Sequence, residues 1–427
     1  FNSGFDLADG KEAYVHGGFA ETDGRYRFFY RAGYDSDCST GHSTIAELCL
    51  DPNWVAGTLR QGYTPFLDGS QTDMSLVAGV KGEMGNGISY DMSVGTGSNE
   101  LRYFLNNTTA PSLGVASDGS FQRDFNLGGY DQEETNINAD FSKALSADMN
   151  LAFGAEWREE TFTTVPGEQA AIDGNTSGMS SVKPADAGAF SRDNIALYAD
   201  LEHDVTDDLL LQYALRYEDF SDFGSTVNGK VATRYTVNDS LTLRGSVSTG
   251  FHAPTPGQAN VSTVITTFDG TSGLQVEEGL VPSTSAAAVA VGGAPLKEEE
   301  SFNISLGFTS QLGDNLSLTF DMYQVEVDDR IYRTGDIDNG AGGSISFYTN
   351  AMDVEHKGFD LVLSSTFEIF PGMETNASLA FNHNTIDVTG QKSINGITPV
   401  SDSLVEDIEN NYPENRWVLN TMTKIGR

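Results

Sequence analysis

The sequence predicts an all-β protein, a transmembrane antiparallel up-and-down β-barrel with about fifteen strands. Three observations carry that expectation. Apolar and polar residues alternate with period two in segment after segment, as on strands whose two faces meet different surroundings. Tight turns alternate with long polar connections. Charged side chains recur on the face opposite the apolar one.

Composition sets the bounds. The 427 residues carry 61 Asp and Glu against 24 Lys and Arg, a net charge of −37. That excludes a nucleic-acid footprint, which needs a basic patch or stripe. The 46 glycines argue against a tightly packed helical globule, and the 44 aromatic residues (Trp 3, Tyr 16, Phe 25) argue against a disordered chain. The apolar stretch Ala286 to Ala294 is far too short and glycine-broken to cross a bilayer as a helix. A membrane role must therefore use strands. No leader segment is visible at Phe1-Asn2-Ser3, so a mature chain or a piece of one is expected.

The strands follow in order. Leu151, Phe153, Ala155 and Trp157 stand opposite Asn150, Gly154, Glu156 and Arg158. Ile195 to Leu201, Leu209 to Tyr217, Val231 to Val237, Leu241 to Val247, Phe302 to Phe308 and Leu316 to Met322 repeat the pattern. Between them come hairpin-turn residues such as Gly85-Asn86-Gly87, Thr206-Asp207-Asp208, Asn238-Asp239-Ser240, Gly313-Asp314-Asn315 and Pro371-Gly372-Met373. Long polar segments cover roughly 34–72, 98–128, 164–190, 252–297, 335–345 and 387–412. Outer-membrane barrels have short periplasmic turns and long extracellular loops, which is this rhythm. Within the long segment 252–297, the run Ser283 to Ala290 predicts a short helix.

A sandwich with one solvated face would show the same alternation strand by strand. The opposite faces favour the barrel: Arg158, Arg216, Arg234, Arg244, Glu202 and Asp321 would be costly in a dry core but sit readily in a wide wet lumen. Aromatic residues near strand ends, among them Trp157, Tyr217 and Tyr235, fit an interfacial girdle, although ordinary packing would also place them there.

Chemistry-bearing motifs are sparse. The sequence has no nucleophile elbow, phosphate loop or His-Glu-x-x-His, and its six histidines are scattered. Neither a catalytic site, nor a metal site, nor a cofactor is expected. Glu298-Glu299-Glu300 and Asp328-Asp329 read as solvated charge at strand ends, and Asp336 to Gly340 opens like a calcium loop without its downstream Glu. Cys38 and Cys49, close together in a polar loop, predict one disulfide and an oxidising compartment, with unpaired thiols as the alternative.

One constellation goes further. Strand Leu243 to Phe251 ends in Gly250-Phe251-His252-Ala253-Pro254, which resembles the Gly-Phe-Arg-Ala-Pro signature of TonB-dependent outer-membrane receptors, with His252 in place of Arg. Leu296-Lys297-Glu298-Glu299, then Asp321-Met322-Tyr323 through Asp329-Arg330-Ile331, is similar to that family's Leu-Lys-Pro-Glu and Asp-x-Tyr…Asp-Arg-Ile pattern. Thr349-Asn350-Ala351 followed by Lys357-Gly358-Phe359-Asp360 resembles its Asn…Lys-Gly strand.

The resemblance spans nearly the whole chain and implies that residues 1–427 are part of a 22-stranded barrel domain, from about its fourth to its eighteenth strand, without the N-terminal plug and the last strands. It implies the cell outer membrane of a Gram-negative bacterium, a surround of lipid and lipopolysaccharide, and active uptake of a scarce nutrient. The ligand classes are siderophore, vitamin, carbohydrate or peptide. Energy would come from a TonB–ExbB–ExbD complex acting through the plug. A passive porin or substrate-specific channel is the first alternative, and a secreted β-rich carbohydrate-acting enzyme or adhesin the second. Trp54, Tyr63, Phe66, Tyr103 and Phe104 are candidate ligand contacts, because aromatic side chains in loops could stack on a ligand.

Overall fold

The computed structural model describes residues 1–30, 63–110, 113, 117, 120–174, 176–268, 275–338, 344–396 and 398–425; Cys38, Cys49 and Trp54 lie outside them, as do Asn339 and Gly340. In chain order the elements are β1 (Asn2–Asp6), β2 (Glu12–Arg27), β3 (Phe66–Glu83), β4 (Ile88–Asn106), β5 (Phe125–Ala144), β6 (Met149–Pro166) and α1 (Gln169–Gly174). Next come β7 (Gly188–Thr206), β8 (Leu209–Phe220), β9 (Gly224–Asn238), β10 (Leu241–His252), α2 (Pro256–Asn260), β11 (Thr263–Phe268), β12 (Gln275–Leu280) and α3 (Ala286–Ala290). The rest are β13 (Glu299–Gln311), β14 (Leu316–Arg333), β15 (Ile337–Asp338), β16 (Ser344–Ser346), β17 (Tyr348–Phe370), β18 (Met373–Gln391), α4 (Asp402–Asn410) and β19 (Asn415–Ile425).

Fifteen strands form one meandering sheet, β1 through β10, then β13, β14, β17, β18 and β19, with each neighbouring pair antiparallel. This is the strand number and topology the alternation predicts. Among the described residues β1 and β19 each pair on one side only. Strands β11, β12, β16 and β15 make a separate four-stranded sheet within the loops.

The two faces separate as the alternation requires. Leu197 stands opposite Tyr217, Ala199 opposite Leu215 and Leu201 opposite Tyr213, while Tyr198 stands opposite Arg216 on the other face. Leu215 is 57% exposed and Leu306 56%, so no described part of the chain covers the apolar face there. Leaving such side chains in water forfeits about 1.5–3 kcal/mol each, so this surface is stable only against another apolar phase. Across it runs an aromatic ladder, with Phe308–Phe320 at 5.7 Å, Phe320–Phe359 at 5.8 Å, Phe359–Phe381 at 5.6 Å and Phe381–Trp417 at 4.2 Å between ring centroids.

Tight turns close one end of the sheet. Gly87 at φ 76 and Gly372 at φ 81 degrees take the left-handed backbone that these hairpins demand. The other end carries the long connections, with one departure from the predicted alternation: β8 and β9 are joined there by only Ser221, Asp222 and Phe223. That turn is tied to β7, where Asp193 N donates to Ser221 Oγ (3.0 Å) and Ser221 N donates to Asp193 O (2.9 Å).

The strands also run beyond the predicted loop boundaries. β4 continues to Asn106 and β5 begins at Phe125, inside the segment expected to be loop. There the apolar-side positions become Glu100, Arg102, Asp131 and Glu133, and Arg102 forms an ion pair with Asp131. The apolar residues Leu101, Tyr103 and Leu105 now hold the inner face, so the alternation continues with its phase inverted while the backbone ladder runs on. A tilted strand crosses a bilayer in roughly ten residues. β17 has 23 residues, so it projects well past the lipid on the loop side.

Candidate ligand vestibule

The long connections fold back over the polar face at the loop end. Leu105, Ala110, Phe125, Leu127 and Ala171 form one buried cluster joining β4 and β5 to α1. Ala351, Met352, Val354 and Val400 form a second, onto which α4 packs Leu404, Val405 and Ile408. Ala288, Ile337 and Phe347 form a third beside α3. Ser285 caps α3 by accepting a hydrogen bond from Ala288 N, so the helix expected within 283–290 is present. A second short helix, α2, has a complete capping box between Thr255 and Gln258.

The Gly250-Phe251-His252-Ala253-Pro254 break is where β10 leaves the sheet. Its anchor is Arg192 of β7, only 6% exposed, which sequence reasoning passed over. Arg192 Nε donates to Glu160 Oε2 (2.6 Å), another of its nitrogens donates to the Pro254 carbonyl, and the guanidinium lies 5.2 Å over the Phe220 ring. Phe220 stacks on Phe223 (4.6 Å) and meets Phe251 edge to face (5.8 Å). Polar pairs continue along this wall: Arg216 with Glu156 and Glu218, and Asn194 with Glu218.

His252, the position that departs from the signature, lies 3.6 Å from Glu299 of β13 at the rim. The Glu299 carboxylate beside it holds the His252 imidazole above its usual pKa despite partial burial. Glu299 also accepts from Ile331 N (2.9 Å).

The remaining signature residues have structural reasons. Asp329 sits at a bulge in β14 with a φ of 60 degrees. Asn350 Nδ2 donates to the carbonyls of Asp329 (2.8 Å) and Lys297 (3.0 Å) while Asn350 Oδ1 accepts from Lys297 N (2.9 Å), tying β17 to β14 and to the approach to β13. A Cβ at Gly358 would lie 2.5 Å from Tyr323 Oη, because Tyr323 of β14 lies across it to donate to Asn384 Oδ1 of β18 (3.2 Å). The same three-strand clasp recurs on the polar face as Tyr14 over Gly79 to Asp91 (2.7 Å) and Tyr198 over Gly154 to Asp140 (2.6 Å).

The four candidate contacts among the described residues divide. Phe66, Tyr103 and Phe104 belong to strands rather than loops. Phe66 lies on the apolar side, 5.2 Å from the Arg25 guanidinium and 5.8 Å from that of Arg27, and Phe104 stands on the same side opposite Asn126. Tyr63 is buried, with its hydroxyl 2.8 Å from Thr109 Oγ1. Tyr103 faces inward and begins an aromatic wall with Tyr130 (6.3 Å) and Phe162 (5.6 Å from Tyr130), over which the α2 segment reaches to bring Thr263 Oγ1 within 2.5 Å of Tyr130 Oη. Tyr130 and Phe162 escaped the sequence reading because its candidate contacts are loop aromatics and both residues fall just outside the segments 98–128 and 164–190 that read as loops. Asp336, at the head of the calcium-like run, lies 3.7 Å from Arg333.

A cavity of about 800 Å³ opens where β10, β13, β14 and β17 end, lined by His252, Gln258, Glu299, Arg330, Arg333 and Tyr348 among others and roofed by Leu404 of α4. Stacking faces, paired charges and an open cavity thus lie together at the loop end.

The family profile described as TonB dependent receptor-like, beta-barrel, matches residues 3–423. Among solved structures, the siderophore receptor PirA from Pseudomonas aeruginosa superposes with a TM-score of 0.54 at 14% identity, covering 91% of this chain and 64% of that one. The RagAB peptide transporter gives 0.58 at 13% identity, over 91% of this chain and 46% of that one. The FrpB iron transporter from Neisseria meningitidis gives 0.51 at 12% identity, over 92% and 54%. The chain thus spans between about half and two-thirds of these proteins' length. No curated protein matches the sequence.

Proposed function

The chain belongs to the TonB-dependent receptor β-barrel family, and from that premise we propose that it is the barrel part of an outer-membrane receptor for active uptake of a scarce nutrient. The carrying observation is the division of the fifteen-stranded sheet into a bare apolar face and a polar face covered at one end by folded loops. That division suits lipid outside and a solvated passage within. Ligand would be captured at the vestibule, and a plug domain in the whole protein, drawn by the TonB–ExbB–ExbD complex, would open the path. The relatives' names supply siderophore, iron and peptide as ligand classes. Lipid and lipopolysaccharide would surround the apolar face.

The test is growth of a strain carrying or lacking the full-length gene on limiting iron, cobalamin, oligosaccharide or peptide, with the energy-coupling complex intact or deleted. Gene-dependent growth that disappears with the coupling complex is expected. Growth that persists without the coupling complex would instead identify a passive channel.

A further inference from the structure

We propose that the cavity at the ends of β10, β13, β14 and β17 is an anion-binding subsite, in which Arg330 takes a carboxylate or phosphate group of a small ligand. The inference rests on the uptake reading above and deepens it by assigning one side chain of the vestibule an anion-binding role.

The direction of Arg330 is set within β14. Its even-numbered residues Met322, Gln324, Glu326 and Asp328 lie on the outer side, so uninterrupted alternation would send Arg330 outward too. The bulge intervenes. Between Val327 and Arg330 the register advances three residues on β14 against two on β17, and Asp329 takes a φ of 60 degrees. Arg330 consequently stands opposite Met352, a member of the inward apolar cluster, and lines the cavity. Bulges are a recognised means of re-aiming one side chain. The bulge is secured by Asp353, whose Oδ1 accepts from Asp329 N (3.0 Å), by Asn350 on the Asp329 carbonyl (2.8 Å), and by an ion pair from Lys392 to Asp329.

Charge balance then distinguishes Arg330 from its neighbours. Glu299 is engaged by His252 and by Ile331 N, and Asp336 lies beside Arg333. Arg333 is further held by Ser346, to which its Nε donates at 2.9 Å. The field of Arg330 reaches Glu299, yet among the described residues Arg330 has no ion pair or side-chain hydrogen bond, in a chain where acidic groups outnumber basic ones by 61 to 24. A half-buried guanidinium aimed into a cavity presents a planar fork suited to bidentate binding of an oxyanion. The volume of about 800 Å³ is ample for a small ligand, and Tyr348 on the lining offers an aromatic face beside the charge.

The test is calorimetric titration of the detergent-solubilised full-length receptor with citrate, inorganic phosphate and, as the neutral control, maltose. Citrate or phosphate is expected to bind, maltose not to bind, and Arg330→Gln to weaken anion binding at least tenfold. Arg330→Lys should retain part of the affinity, and raising the salt concentration should weaken binding. Unchanged heat-modifiable migration of both variants on gels establishes that they fold. Failure of both anions to bind the wild-type protein, or full affinity in a folded Arg330→Gln variant, would overturn the proposal. Coupling-dependent uptake of an uncharged nutrient alongside absent anion binding would sink this inference and leave the uptake reading standing. Anion binding without any coupling-dependent uptake would do the reverse.

Discussion

Replacing Gly358 with alanine is expected to destabilise the barrel by about 2–4 kcal/mol. The new Cβ would sit 2.5 Å from the His383 carbonyl oxygen and 2.5 Å from Tyr323 Oη. The carbonyl belongs to the β18 ladder and cannot retreat without breaking strand pairing, so the overpacking cost is about 1–3 kcal/mol. Displacing the Tyr323 ring also severs its hydrogen bond to Asn384, adding about 1 kcal/mol. Tyr323→Phe should therefore lose only about 1 kcal/mol. Gly97→Ala is the internal control, because its Cβ would meet nothing closer than Met74 O at 3.5 Å. Relief of glycine's backbone entropy there should be neutral or stabilising by roughly 0.5–1 kcal/mol. The measurement is equilibrium unfolding of the full-length receptor in detergent, followed by tryptophan fluorescence and heat-modifiable migration. Equal effects of Gly358→Ala and Gly97→Ala would refute the clasp as the reason for the glycine.

Three further outcomes are expected. Arg192→Ala should cost about 3 kcal/mol, since it leaves the largely buried Glu160 with only Arg158 at 4.0 Å, and Arg192→Lys should recover part of it; thermal unfolding measures both. The His252–Glu299 contact should be pH-dependent. With the His252 pKa raised in the folded state, its contribution is complete below about pH 6.5 and lost as pH rises through the raised value. Glu299, desolvated yet held below its usual pKa by His252 and the Ile331 amide, contributes above about pH 4.3 and loses that on acidification. Proteolysis of the segment after Pro254 should consequently quicken between about pH 6 and pH 8 in the wild type and lose that dependence in His252→Gln. Cys38 and Cys49 should resist alkylation until reduced, and mass spectrometry showing both modified without reductant would remove the disulfide.

Legibility in the sequence followed the surroundings of each strand. Where one face meets lipid and the other a solvated lumen, as at Leu209 to Tyr217, the two faces need different residues and the pattern is plain. Where a strand projects beyond the bilayer, as at Glu100 to Asn106, the outer face turns polar and Leu101 and Leu105 lie on the loop-covered inner face, so the alternation inverts its phase and the stretch reads as loop. The turn at Ser221 to Phe223 escapes the local pattern for a related reason. A three-residue connection at the loop end looks like polar punctuation, and its tie to Asp193 of β7 is made 28 residues away in sequence.

What the sequence determined by itself was the fold class, the approximate strand number and the division into lipid-facing and lumen-facing residues, because alternation is local and each residue's side follows from its neighbours. The ordered motifs likewise carried the family. Tertiary structure decided which residues share the vestibule. Arg192 meets Pro254 across 62 positions, Tyr130 meets Thr263 across 133, and the bulge at Asp329 reverses the side that alternation gives Arg330. Those juxtapositions depend on register and on how loops fold back over the sheet, which are long-range quantities with no local signature.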